Sequence, residues 1–353
     1  MANITRSGFQ ALVAEVNVGY NSLEMQKIPL LYLYPNLDIR GLNLSGLDLL
    51  CLNFDGMDLT EVNFSDGDLY GTSFYGATLR RAKLRNVTVQ RPPGNHAHDW
   101  FGADFTYADL TGTNLTGIEF KQGWSDWRKN LPPDSLNSYF RQLYWKDSPI
   151  VFDGAKLVDV DLRWTHLEGV SFIGADMTRA KLAFANFQEA QFERAIMKGA
   201  YIEDTNMEGA NMRFVSMNGV SIGNFSNLSG VDLTGAVLIN LNNRQAYNSP
   251  EIFASTMGAF YLTGANCTEA DMRGGQFAEV LVDVNFTRAD LARTDFSKVG
   301  LRNCNFTDAN ICGANISNFG DGEGLVMTGA KFDEDTKLPK GFLWVRKNGL
   351  VRV

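Results

Sequence analysis

Basic residues and long apolar runs are scarce in this sequence. Its 353 residues include 32 Lys and Arg against 40 Asp and Glu, which gives a net charge of −8. This balance argues against nonspecific binding to DNA and to anionic membranes. No run of about eighteen apolar residues exists, so no membrane-spanning helix is predicted. The first ten residues lack a basic segment followed by an apolar one. We therefore expect a cytoplasmic protein, unless a route that the sequence does not reveal exports it.

Cysteine is rare as well, with four residues and no C-x-x-C spacing. We expect Cys51, Cys267, Cys304 and Cys312 to act as small buried hydrophobes rather than as disulfide partners or metal ligands.

Two of the three histidines form the one cluster with metal-like chemistry, His96-Ala97-His98-Asp99. Two imidazoles and a carboxylate are able to bind a divalent ion. The remaining histidine, His166, falls at an outward position of the repeat described below. We favour a chance grouping in a loop over a metal-dependent enzyme, and we predict no metal and no cofactor. Nucleotide-binding, nucleophile-elbow and zinc-protease motifs are missing, so we expect a protein that is not an enzyme.

The sequence has instead a period of five residues, clearest from Phe152 to Ile222. Every fifth residue there is large and apolar, and the residue two places before it is small or β-branched. A period of five matches neither the 3.6-residue turn of a helix nor the alternation of a strand. It indicates a corner that recurs every five residues.

Four such sides close a square coil of about twenty residues, and coils stack at roughly 4.8 Å through backbone hydrogen bonds. The large and the small residue of each unit point inward, while the other three face water. Residues twenty apart should lie on top of one another, and the Asp or Asn before each large residue should bond the corner backbone. The predicted core includes the large residues Phe152, Leu162, Phe172, Leu182 and Phe192 and the small residues Ala175, Ala185 and Ala195.

The unit Ala–Asp/Asn–Leu/Phe–x–x resembles the repeat of the pentapeptide-repeat family. The resemblance runs from about Asn36 to Phe332, outside several insertions. It implies an all-β fold, a right-handed quadrilateral β-helix solenoid, to which the insertions and ends of this chain are expected to add an inserted helical loop and terminal caps. It implies a bacterial or phage origin more often than a eukaryotic one. It says little about function, because one fold supports many functions.

We divide the chain into three parts. Residues 1–35 are expected to form an N-terminal cap, residues 36–338 the β-helix, and residues 339–353 a C-terminal β-hairpin cap. The register slips by one residue at 223–226 and again between the large residues Val282 and Phe286. Insertions are expected at about 90–101, 121–150, 239–255 and 320–324.

The two ends carry their own signals. Helical spacing of Phe9, Leu12, Val13 and Val16 predicts a short helix, and the apolar segment 28–34 is expected to be a strand. Near the other end, Asn348-Gly349 between two apolar runs is a strong hairpin signal. A solenoid end exposes apolar core and unpaired backbone, which requires a cap. The alternative for the C-terminal hairpin is a homodimer contact, as in family members that pair through this end.

The insertion at 121–150 is dense in aromatic residues. Leu136, Phe140, Leu143 and Tyr144 make an apolar helical stripe, which favours packing of this helix on the flank of the solenoid. The functional alternative is that exposed aromatic side chains bind a partner protein, because Trp and Tyr dominate binding hot spots. The candidate partner-binding residues are Trp124, Trp127, Tyr139, Tyr144 and Trp145.

Acidic residues twenty apart share a face, so Asp38 should lie under Asp58, and Asp48 under Asp68. Family members of the quinolone-resistance type mimic duplex DNA and bind DNA gyrase. The acidic columns of this chain suggest DNA mimicry as an alternative function. The basic segment 80–85 and the modest net charge weaken it. We therefore predict a non-enzymatic scaffold for protein–protein interaction through loops and faces, with no direct nucleic-acid binding and no membrane contact. The alternative is a DNA mimic that protects or inhibits gyrase or a related topoisomerase.

Overall fold

The computed structural model describes most of the repeat segments. The described residues fall into two compact units, Met1–Ala175 and Asp176–Val353. They are residues 3–19, 29–70, 72–89, 105, 108–110, 112–113, 115, 150–222, 226–238, 260–275, 277, 279–319, 324–339 and 349–353.

Regular elements are short, because the chain turns a corner every five residues. The helices are α1 (Arg6–Gly19) and α2 (Leu30–Leu33). The strands form four parallel pairs, each of two strands. These strands are β1 (Tyr201–Ile202), β2 (Ser221–Ile222), β3 (Ser226–Asn227), β4 (Phe260–Tyr261), β5 (Glu279–Val282), β6 (Val299–Arg302), β7 (Lys331–Phe332) and β8 (Val351–Arg352).

Parallel bridges between residues about twenty apart connect successive coils in both units. In the first unit Asn43 pairs with Asn63, and Asn63 with Lys83. In the second, Asp176 pairs with Ile196, and that residue with Ser216. This spacing is the one expected for stacked square coils, and the predicted quadrilateral β-helix is confirmed.

The inward side chains form columns that follow the backbone ladder. The rings of Phe152 and Phe172 stack with centroids 5.1 Å apart and planes at 4°. In the second unit, Phe277 and Phe296 stack at 5.1 Å. Offset stacking of this kind adds to the burial of apolar area. The eight residues predicted for the core are all buried, namely Phe152, Leu162, Phe172, Leu182, Phe192, Ala175, Ala185 and Ala195.

Each corner turns through a left-handed residue two places after the large inward one. Gly41 and Gly174 hold this position with φ of 71° and 66°. Glycine adopts this conformation without the steric cost of a Cβ atom. Residues with side chains also occupy it, for example Glu61 at φ 62° and Arg179 at φ 57°.

The predicted N-terminal helix is present as α1, with Phe9, Val13 and Val16 buried. The Arg6 guanidinium donates to the carbonyl oxygens of Asn43 at 3.0 Å and Ser45 at 2.7 Å. Those carbonyls lie on the open edge of the first coil, where a preceding coil would otherwise bond them. Helix α1 therefore supplies partners that the solenoid end lacks.

The strand predicted for residues 28–34 is wrong in its described part, because Leu30–Leu33 is a helical turn. A short apolar run does not distinguish a strand from a buried helical turn. Leu30 is buried, and its amide donates to the Asn53 carbonyl at 2.8 Å. It thus takes the place of an inward residue beneath the first coil.

The insertions leave the ladders continuous. Lys83 pairs with Asp109, Asp109 pairs with Lys156, and Asp232 pairs with Asn266. The chain therefore returns to the same ladder after each departure. Ile150, the last residue of the predicted 121–150 insertion, is buried and accepts a hydrogen bond from the Ser171 amide.

Both register slips are present. Asn206 pairs with Asn227, one residue beyond the usual spacing, while Asn266 pairs with Asn285, one residue short of it. Val282 was expected to point inward, and this is wrong. Leu281 is the buried residue, because strand β5 runs straight through the slip and pairs Leu281 with Leu301.

At the C-terminal end, β8 pairs in parallel with β7, with Lys331 opposite Val351. This half of the predicted hairpin segment therefore extends the ladder. Residues 340–348 lie outside the described residues, so the hairpin, and a homodimer contact through this end, stay predictions. Among the described residues, no helix has the length and apolar character needed to cross a membrane.

Candidate functional site

Two large aromatic side chains project into solvent from corner positions. Trp164 is 56% exposed and Phe214 is 43% exposed. Both adopt the left-handed conformation, with φ of 64° and 56°. Bulky residues seldom occur there, because the Cβ atom approaches the following carbonyl. Sequence reasoning missed both residues, although an aromatic residue at an outward repeat position was a usable signal.

Two guanidinium groups flank Phe214 in the second unit. The guanidinium carbon of Arg194 lies 5.4 Å from the ring centroid, and that of Arg213 lies 5.6 Å from it. Cation–π contacts of this length are attractive. Arg194 pairs with Glu193, and Arg213 lies 3.4 Å from Asp232. In each pair the arginine is the more exposed member, so the cationic side faces outward.

Ile196, also in the second unit, is another exposed apolar side chain, at 43% exposure. It lies two residues after Arg194 in the sequence, and the residue between them, Ala195, points inward. Phe214 and the two arginines form what we call the Phe214 cluster. Aromatic and arginine side chains are the types enriched in protein–protein hot spots.

A ladder of polar side chains runs along the second unit and is fully occupied by internal bonds. The Thr268 hydroxyl donates to Asn266 Oδ1 at 2.7 Å and accepts from Asn285 Nδ2 at 3.0 Å. The Thr287 hydroxyl repeats this pattern with Asn285 and Asn305. These side chains satisfy one another, so the ladder fixes the register of the coils.

The predicted acidic columns are present but partly neutralised. Asp48 pairs with Asp68 across the ladder. Asp38 and Asp58 both bind Arg40, at 2.7 Å and 3.7 Å. Hydrogen bonding to the Arg40 side chain lowers the pKa of Asp38 to about 2. A cation between two carboxylates offsets part of the phosphate-like charge that a DNA mimic would need on this face.

The neighbouring carboxyl groups of Glu203 and Asp204 have raised pKa values, in contrast to the lowered pKa of Asp38. Burial, and then the charge of Asp204, raises the pKa of Glu203, and burial raises that of Asp204. The Tyr201 hydroxyl donates to the Glu203 carboxylate.

Burial also raises the pKa of the Cys267 thiol to about 12. The expectation of buried cysteines is met at Cys51, Cys267 and Cys304, but it is wrong at Cys312, which is half-buried at an outward position of the repeat.

The candidate partner-binding residues all lie outside the described residues, as does the His96–Asp99 cluster. The aromatic partner-binding site therefore stays a prediction, and the interpretation of the histidine cluster as a chance grouping stays untested. Within the described part of the chain, no group of three or more His, Cys, Asp and Glu side chains is arranged to hold a metal. His166 lies 3.5 Å from Glu168 at the surface.

Comparison with known proteins gives a family and distant structural likenesses. Solved structures with a similar chain path include a trypsin-treated variant of QnrB1, a plasmid-mediated fluoroquinolone resistance protein, at 16% identity and a TM-score of 0.27. That match covers 79% of this chain and 89% of QnrB1. HetL, involved in heterocyst differentiation regulation in the cyanobacterium Nostoc sp. strain PCC 7120, matches at 16% identity and a TM-score of 0.24, over 88% of this chain and 95% of HetL.

Because both TM-scores lie below 0.5, neither likeness bears on the function of this protein. A search of curated proteins found no match. The family model for pentapeptide repeats matches in eight copies, over residues 38–74, 101–122, 151–182, 175–213, 185–222 and 280–318. Together with the five-residue coil geometry, this match shows that the chain belongs to the pentapeptide-repeat family.

Proposed function

We propose that this protein is a non-enzymatic scaffold that presents side chains from its faces and loops to a partner protein. The observation that carries the proposal is the exposure of Trp164 and Phe214 at left-handed corners. Glycine fits this conformation, whereas another residue costs about 1–2 kcal/mol there. Half-exposed rings recover only part of that cost through burial.

Charged residues such as Glu61 and Arg179 occupy the same corner conformation, so the exposure of the two aromatic rings, rather than the backbone angle, points to binding. A bound partner would bury the rings and desolvate the guanidinium groups of Arg194 and Arg213, which strengthens both kinds of contact. The aromatic residues Trp124, Trp127, Tyr139, Tyr144 and Trp145 extend the proposal to the 121–150 insertion.

The test uses the full chain, immobilised, with lysate from its source organism and mass spectrometry of what is retained. Trp164→Gly and Phe214→Gly remove the exposed rings and place glycine where the backbone favours it, so the fold should persist. We expect at least one of them to lower recovery of the retained protein by about tenfold, as loss of a hot spot does.

Glu189→Gly is the matched control, because Glu189 is an exposed corner residue at φ 59° without an aromatic ring. A deletion of residues 123–146 tests the insertion in the same assay. The scaffold proposal would be rejected if the wild-type chain, both glycine variants and the deletion variant all retained the same amount of the partner protein. A gyrase supercoiling assay on the purified chain separates it from DNA mimicry, which requires altered supercoiling.

A further inference from the structure

An open trough lies on the second unit, with a cavity volume of about 670 Å³. Its lining includes the small residues Ala292, Cys312 and Gly313, the last of which is a corner residue. Asp271, Asp290, Asn310 and Lys331 follow one another along a single ladder. Ala292 and Cys312 therefore occupy the same position in consecutive coils, with a larger residue before and after them in that column.

Those larger residues are Arg273 and Asp333, and both are already bonded. Arg273 makes two hydrogen bonds to the Asp271 carboxylate, at 2.8 Å and 2.7 Å. Asp333 accepts from the Gly313 amide and from the Thr336 hydroxyl, each at 2.8 Å. The ends of the trough are thus held rigid by internal contacts.

Two further charged side chains line the trough and are not bonded in this way. Among the described residues, neither the Arg293 guanidinium nor the Asp335 carboxylate has an ion pair or a side-chain hydrogen bond. The stem of Arg293 lies over Gly313, where an added Cβ would be 3.3 Å from its Cγ. Arg293 and Asp335 belong to coils separated by one other coil, so roughly 10 Å of stacking lies between them.

This is the spacing of the two backbones, and among the described residues the two side chains form no ion pair with each other. A ligand that carries an anion and a cation about 10 Å apart would pair with both. An extended peptide advances about 3.3–3.6 Å per residue, so residues three positions apart match this span. A lining that includes glycine, alanine and cysteine lets a peptide backbone approach closely. A nucleic acid offers only negative charge and would leave Asp335 opposed to phosphate.

We propose that this trough binds an extended segment of a partner polypeptide, with an acidic residue at Arg293 and a basic residue three positions away at Asp335. The inference rests on the proposed scaffold function and names one site for it. It is independent of the Phe214 cluster, which lies on a different column of the coils.

The experiment measures binding of the full-length chain to an array of octapeptides that contain one Asp and one Lys in a Gly/Ser background. The separation of the two charges varies from one to six positions, in both orders. We expect binding to peak at a separation of three. Parallel arrays with two Lys or two Asp serve as charge-inverted probes.

Charge reversal at one end should change the preferred probe. Arg293→Glu is expected to weaken binding of the Asp/Lys peptides about tenfold and to select the Lys/Lys peptides. Asp335→Lys should select the Asp/Asp peptides. Glutamate already occupies the same left-handed corner position at Glu269, with φ 60°, so the first variant should fold. Ala292→Tyr fills the trough without changing its charge and should weaken binding of the Asp/Lys peptides without selecting either of the other probes.

Arg302→Glu is the matched control, since Arg302 is exposed, lies outside the trough and undergoes the same charge change. It should leave the peptide preference unchanged. No binding of any Asp/Lys peptide by the wild-type chain would overturn the proposal. So would an equal shift in preference with Arg302→Glu, which would indicate an effect of net charge alone. The peptide array tests only the trough, and capture from lysate tests the scaffold function. A negative result in one assay therefore does not decide the other proposal.

Discussion

The ring of Phe214 lies against the backbone of Gly235, the corner residue of the next coil. A Cβ atom added to Gly235 would lie 2.6 Å from both Cδ1 and Cε1 of that ring, which is closer than Cβ atoms approach in real structures. The exposed aromatic residue therefore depends on a missing side chain in the adjacent coil.

Gly235→Ala should destabilise the protein more than the same change at Gly219. Both glycines have φ of 66°, but an added Cβ at Gly219 would meet nothing within 4 Å. Gly219→Ala should cost about 1 kcal/mol from backbone strain alone. Gly235→Ala should cost about 2 kcal/mol or more, because the ring must also move. Urea denaturation measures both losses. In a Phe214→Ala background the ring is absent, so the extra loss caused by Gly235→Ala should disappear. Equal losses at the two glycines would show that the contact is not tight.

Replacing an inward phenylalanine with alanine should lower the free energy of unfolding far more than replacing the exposed Phe214. Phe286 is fully buried, and its ring lies 4.9 Å from that of Phe306. Phe286→Ala should lower the free energy of unfolding by about 3–5 kcal/mol, the usual cost of removing a buried phenyl ring. Phe214→Ala, the exposed counterpart, should cost about 1 kcal/mol from its lost cation–π contacts. Chemical denaturation followed by circular dichroism tests the order, which a smaller loss at Phe286 would contradict.

The polar ladder should contribute to stability through hydrogen bonds between coils. Asn285 accepts from the Thr287 amide and hydroxyl and donates to Thr268. Asn285→Ala removes these bonds and should cost about 1–2 kcal/mol. Arg302→Ala, at an exposed position outside the ladder, should change stability by less than about 0.5 kcal/mol. Hydrogen exchange of the neighbouring amides gives a second readout, and unchanged protection at Thr287 would count against the ladder.

Glu203 should make stability depend on pH. Its folded pKa is raised, so the folded state holds the proton more tightly than the unfolded chain does. The stabilisation from the protonated form is present at low pH and is lost as pH rises through the folded pKa. Glu203→Gln keeps an acceptor for the Tyr201 hydroxyl and removes the charge. It should therefore stabilise the protein at pH 7 and have little effect at pH 4. Thermal melts at the two pH values measure this, and an equal effect at both would refute it.

The sequence predicted the repeat, the inward residues and both register slips, because a side chain that must fill a narrow tube leaves a period that can be counted. It also predicted α1 from the spacing of Phe9, Val13 and Val16. It failed at Leu30–Leu33 and at Val282, where short apolar runs fit more than one conformation and the contacts of neighbouring coils decide.

The five-residue period by itself determined the fold, because it fixes which side chains face inward at every coil. Only the tertiary structure decided what the outer faces can do. Residues one coil apart are about twenty positions apart in sequence, so the contacts of Phe214 with Gly235, and the trough between Arg293 and Asp335, depend on stacking. The sequence shows these residues as variable outward positions, whereas the stacked coils bring them together as surfaces.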